Sequence, residues 1–156
     1  MDTLASARTC HHTSLRIATR RATEFVDVTE RLDRLVSDSR LDVGVLTLQT
    51  RHTTTGLVVN EHEPLLLADF DQLLERAAPR ALAYWHDELP LRPGVSADEP
   101  RNGHAHCRAL LLPSSVVLTV AAGRLQLGRW QRVFLVEFDG PRERELSVVI
   151  MGEVLS

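Results

Sequence analysis

Two strongly β-forming segments separated by only a few residues constrain this chain more than any other feature. Asp42–Thr50 (DVGVLTLQT) puts Val43, Val45, Leu46 and Leu48 on a largely buried strand. Leu57–Asn60 is a second apolar strand. Between them runs His52-Thr53-Thr54-Thr55-Gly56, polar and closed by glycine as a turn should be. Neither strand can bury its side chains alone, so the chain must build a sheet and cover it with a second layer. A tight, hairpin-like pairing is expected to place His52 and Glu61, at the two strand ends, on one rim.

The remaining segments fill in an α+β plan. Leu15 and Ile17 alternate with polar residues over Thr13–Thr19, as on an edge strand. Asp27 and Glu30 have the spacing of a capping box, and Leu32, Leu35 and Val36 give a short amphipathic helix over Thr29–Ser37. Pro64 suits the first turn of a helix running to about Ala78, with Leu66, Phe70, Leu73, Leu74 and Ala77 toward the core. His104–Leu112 reads as a short helix. Ser115–Val120, Arg132–Phe138 and Arg144–Gly152 read as a late meander whose last hairpin turns at Asp139-Gly140-Pro141.

Early strands, two or three helices and a late meander point to one compact domain over residues 1–156. Its sheet is mostly antiparallel rather than βαβ-wound. Residues 1–12 are expected to be disordered. The stretch from 87 to 103, rich in Pro and Gly and carrying Asp87, Glu88, Asp98 and Glu99, is expected to be a long functional loop.

Charge narrows the partners. All 18 basic residues are Arg, so no side-chain amine is present for Schiff-base chemistry. Phosphate or carboxylate recognition falls to guanidinium groups, helix ends or metal. A net charge of −3 offers no basic field for a nucleic acid backbone. Cys10 and Cys107 are far apart and form no disulfide framework. No apolar run reaches the ~20 residues of a membrane span, and the N-terminus lacks an apolar signal region, so a cytoplasmic protein is expected.

The seven histidines matter for their placement. His52 and Glu61 end neighbouring strands, while His86 and His106 flank the long loop. His52, His86 and His106 make a candidate ligand set for Zn, Ni, Cu or Fe(II). Alternatively, His52, Glu61 and His106 could do acid–base work without metal, or the histidines could be scattered structural residues. On a helix only one of His104 and His106 can face the site, and His106 is preferred. Trp130 and Gln131 could wall and hydrogen-bond a planar ligand, or simply pack beside a turn. Arg144 belongs to a charged hairpin and could turn inward to an anion.

These residues also carry a resemblance. His52-Thr53-Thr54-Thr55-Gly56-Leu57-Val58-Val59-Asn60-Glu61 resembles the HTT-x-G-x-x-x-NE segment of the YjbQ family, often labelled secondary thiamine-phosphate synthase. Tyr84-Trp85-His86, Asn102-Gly103-His104-Ala105-His106 and Gly128-Arg129-Trp130-Gln131 are similar to three further segments of that family, in the same order. So is Glu137-Phe138-Asp139-Gly140-Pro141-Arg142. The resemblance implies a compact α+β homotrimer whose site gathers His52, Glu61, His86 and His106. It also implies Trp130 and Gln131 nearby, and Thr55, Asn60, Asn102, Trp130, Gln131 and Arg144 are the candidate contacts to a small-molecule substrate. The implied reaction joins hydroxymethylpyrimidine diphosphate to a thiazole phosphate and releases pyrophosphate, with Mg²⁺ accompanying the diphosphate. A histidine-metal hydrolase and a non-catalytic metabolite-binding trimer are the competing readings.

Overall fold

The computed structural model describes residues 7–154. Along the chain come β1 (Arg8–Ala18), β2 (Glu24–Asp27), α1 (Thr29–Ser39), β3 (Leu41–Thr50), β4 (Thr55–Glu61) and α2 (Pro64–Ala77). They are followed by α3 (Gly103–Ala109), β5 (Ser115–Ala121), β6 (Arg124–Leu125), β7 (Gln131–Glu137) and β8 (Glu143–Val154). The strands form two antiparallel sheets, one in the order β1-β8-β3-β5-β6 and one in the order β2-β7-β4.

The sheets face each other across the main core. Leu46 and Leu48 of β3 and Leu146 and Val148 of β8 meet Leu57, Val133 and Leu135 of the smaller sheet, and Leu32 and Val36 of α1 join them. The back of the smaller sheet is covered as well, because Phe134 and Val136 pack with Leu74 of α2 and Ala105 of α3. Sandwiched in this way, β7 reads as a continuous apolar run, Val133-Phe134-Leu135-Val136, with all four residues fully buried. Each such side chain contributes roughly 1.5–3 kcal/mol by leaving water.

Two expected hairpins are corners between sheets. β3 pairs with β5 and β8, whereas β4 pairs with β7, so the threonine turn carries the chain from one layer to the other. The turn at residues 139–141 does the same between β7 and β8, and β5, β7 and β8 form no late meander among the described residues. Periodicity shows that a segment is a strand but not its partner; here the turn carbonyls and amides bond elsewhere. Thr54 O accepts from Phe138 N at 3.1 Å, and Thr50 N donates to Ser114 O at 2.9 Å.

Smaller departures have local causes. Residues 8–12, expected to be disordered, extend β1 against β8, which puts β1 at a sheet edge; residues 1–6 lie outside the described residues. Asp27 Oδ1 caps the Thr29 N–H at 2.9 Å, but Glu30 completes no capping box and reaches Arg132 instead. In α2 the Glu63 carboxylate caps Leu65 and Leu66, ahead of Pro64 in the first turn. That helix lays only a narrow stripe on the sheet, so Leu73 and Ala77 are exposed and Leu74 alone is fully covered. Two one-turn helices, Trp85–Asp87 and Leu89–Leu91, give the 87–103 stretch partial order. No helix among the described residues is long and apolar enough to cross a membrane.

Candidate functional site

The layer crossing at residues 51–54 creates the site. Thr50 and Thr55 Oγ1 atoms lie 2.5 Å apart and pin the two ends of the turn. His52 stands half-buried on it, and its Nε2 accepts the Glu145 backbone N–H at 2.8 Å. Across an open groove of about 470 Å³ stands His106 of α3, with Thr53, Ala109, Leu110 and Ser114 completing the walls. Arg51 sits at the rim and is paired with Glu145.

His86 joins His106 through a close approach of backbone. A Cβ on Gly103 would lie 2.5 Å from Tyr84 Cβ, so only glycine lets the 84–87 turn rest against the start of α3. The Gly103 N–H then donates to Asp87 Oδ1 at 2.9 Å. The His86 and His106 ring centroids are 4.6 Å apart, with ring planes at 60°. His104 points the other way, buried beside Tyr84. The preference for His106 over its neighbour therefore matches the helix geometry.

Burial is the main cause that lowers the pKa of His52 from its ordinary value, with the Arg144 guanidinium adding to it. Burial and then the neighbouring His86 lower that of His106. Both rings are accordingly neutral near pH 7. Neutral imidazole can accept a proton, donate a hydrogen bond or hold a soft divalent cation. Among the described residues no three His, Cys, Asp or Glu side chains stand close enough to hold a metal ion, so His52, His86 and His106 form no ligand triad within one chain.

The other expected site residues divide. Asn102 adjoins the cluster: its Nδ2 donates to Asp139 Oδ2 at 2.8 Å, while its Oδ1 is buried with no partner. Thr55 lines the groove. Arg144 does turn inward, but toward protein. Its Nε and one Nη reach Glu137 at 2.6 and 2.5 Å, and that Nη also donates to Thr54 Oγ1 at 2.9 Å. With Glu137 at 0% and Arg144 at 6% exposure, this is a buried ion pair, so the cation is spent on the fold and not offered to an anion. The sequence reading gave Glu137 no role. Its signal was a single carboxylate inside the apolar run VFLVEF, which a strand covered on both faces cannot leave unpaired.

Glu61, Asn60, Trp130 and Gln131 form a separate group. In the β4–β7 ladder Glu61 pairs with Gln131 and Asn60 with Arg132, while Thr55 pairs with Glu137 at the other end. β4 has seven residues; at about 3.3 Å per residue its two ends lie roughly 20 Å apart. The expected common rim for His52 and Glu61 is therefore absent within one chain, because β3 and β4 belong to different sheets. At the far end Trp130 is 60% exposed with Arg129 over its ring at 4.7 Å, and Gln131 Oε1 accepts the Gly128 N–H.

Comparison with known proteins agrees with this architecture. The family model described as UPF0047 protein YjbQ-like matches residues 13–153. A UPF0047 protein of Archaeoglobus fulgidus is 39% identical over 134 residues, covering 86% of this chain and 96% of the relative. The crystal structure of a YbjQ-like protein of unknown function from Sulfolobus solfataricus superposes with a TM-score of 0.85 at 31% identity. It covers 94% of this chain and all of the other. A conserved hypothetical protein from Thermus thermophilus aligns with a TM-score of 0.70 at 37% identity, covering 87% and 97% of the two chains.

Proposed function

The chain belongs to the YjbQ-like UPF0047 family, and on that premise we propose that it is a small-molecule enzyme working at the histidine groove, with thiamine-phosphate synthesis as its reaction. The observation that carries this reading is that His52 and His106 face one open groove. In the reaction the thiazole nitrogen bonds to the pyrimidine methylene carbon. The carbon–oxygen bond to the diphosphate breaks, and its electron pair leaves with pyrophosphate. The protein's task is to align the two rings and to donate hydrogen bonds to the departing phosphate oxygens. Arg51, Thr53 and Ser114 supply such donors beside His52, and His106 is the ring free to exchange a proton. The residues lining the groove offer imidazoles, hydroxyls and a guanidinium but no carboxylate, so Mg²⁺ would arrive on the diphosphate and supply charge neutralisation there.

Assembly completes the proposal. A homotrimer with the groove at the subunit boundary would bring Glu61, Asn60, Trp130 and Gln131 of one copy to the histidines of the next. Their separation within one chain and the exposure of Trp130 support it. The test is direct: purified protein is given both substrates, and thiamine phosphate and pyrophosphate are measured, with His106→Ala as control. Turnover by wild type that His106→Ala abolishes is expected. Tight substrate binding without turnover would instead favour a metabolite-binding protein.

The His86–His106 contact favours a second reading. Two imidazoles this close suit Zn, Ni or Fe(II), with water completing the shell and acting as nucleophile in a hydrolase. Stoichiometric metal in protein purified without chelator, and hydrolysis lost on chelation, would move the conclusion to this reading.

A further inference from the structure

His52 is held by backbone. An amide N–H only donates, so the 2.8 Å contact from Glu145 N requires an unprotonated Nε2, and the neutral ring must carry its hydrogen on Nδ1. The donor cannot swing away. Glu145 lies within β8, paired with Arg16 of β1, and its neighbour Arg144 is anchored by Glu137 and Thr54. Nδ1, by contrast, takes no partner from the described residues and is not sealed in the interior, and the ring lines the groove. Neither lone pair is then available: one is engaged by the Glu145 amide and the other is occupied by hydrogen.

We propose that His52 is a fixed hydrogen-bond donor, offering Nδ1–H to a phosphoryl or carbonyl oxygen of the ligand, and that it neither abstracts protons nor binds metal. The assignment of a ligand to this groove rests on the reading above; the tautomer does not. The two groove histidines thereby divide the work. His52 polarises an oxygen of the substrate, and His106, whose ring no backbone donor engages among the described residues, is the one that can take a proton. The site selects ligands that present an oxygen acceptor to the turn and a proton-exchanging group to α3. Arg51 and the Thr53 hydroxyl, on the same wall, favour a phosphate as the acceptor.

The full chain, labelled with ¹⁵N-histidine, reports the tautomer by imidazole NMR, with His52→Gln assigning the signals. At pH 7.5 His52 is expected to show a protonated Nδ1 and a bare Nε2, unchanged by added Zn²⁺. An Nε2–H tautomer, an imidazolium, or a zinc-induced change at His52 overturns the proposal. Binding of inorganic pyrophosphate, followed by calorimetry, tests the donor. His52→Gln can keep an acceptor for the Glu145 amide but carries no donor at the Nδ1 position, and should weaken binding about tenfold, the worth of one hydrogen bond to a charged group. His52→Asn places an amide near the Nδ1 position and should retain more of the affinity. Equal binding by wild type and His52→Gln overturns the donor role. Wild type that fails to bind pyrophosphate while showing the Nδ1–H tautomer overturns the phosphate reading of the groove instead.

Discussion

Glu61 pairs with Gln131 at one end of the β4–β7 ladder, and the Thr55–Glu137 pair closes the other end beside the histidine groove. If Glu61 serves the site, it serves that of a neighbouring copy. Glu61→Gln should keep fold and assembly and lower turnover by roughly 10²–10⁴, the usual worth of a placed acid–base group. Subunits carrying Glu61→Gln, co-assembled with subunits carrying His106→Ala, should recover a fraction of activity that neither variant has alone. Light scattering should report a trimer; a monomer at micromolar concentration, or no recovery in the mixture, counts against the shared site.

The Glu137–Arg144 pair makes a prediction about stability. Glu137→Ala leaves a guanidinium buried without its partner and should cost about 3–5 kcal/mol. The double variant Glu137→Leu/Arg144→Met should recover much of that loss, because no charge then remains to be desolvated. Urea denaturation followed by circular dichroism measures both, and equal destabilisation of the single and double variants would contradict this account.

Stability should fall on the acid side of neutrality. Burial is the leading cause that holds His52, His104 and His106 below their ordinary 6.5. Above 6.5 neither the folded nor the unfolded chain protonates these rings. As the pH falls below 6.5 the unfolded chain binds protons that the folded chain does not, so folding weakens until the lowered native values are reached. Denaturant midpoints measured between pH 7.5 and 5.0 should decrease, and less so in a His104→Gln variant. A midpoint rising toward pH 5.0 would reverse the sign.

Metal binding separates the histidines. Zn²⁺ added to the purified protein should be held through His86 and His106 and lost in either alanine variant, whereas His52→Gln should bind it like wild type. Calorimetry with a chelator titration as control gives the stoichiometry. Loss of zinc affinity in His52→Gln alone would assign the ion to the turn.

The residue pattern determined most of the strands and helices, though not the short β2 and β6. The apolar content of Asp42–Thr50 and Arg132–Phe138 and the Pro64 helix start follow from local periodicity and helix-start chemistry, which depend on neighbours a few residues away, while the helix expected over His104–Leu112 runs Gly103–Ala109. The same local logic required that only one of His104 and His106 face the groove, and the packing of α3 made it His106. Sequence motifs also marked the histidines and Glu61 as a set.

Partnership between strands was decided only in three dimensions. A turn of four residues is compatible both with a hairpin and with a crossing between layers, and burial of both faces of β7 accompanies the crossing. That choice moved Glu61 to the far end of β4, joined Glu137 to Arg144, and aimed the Glu145 amide at His52. Each of these contacts joins groups brought together by the packing of two sheets. Their energy depends on burial and direction, which no local pattern of residues encodes.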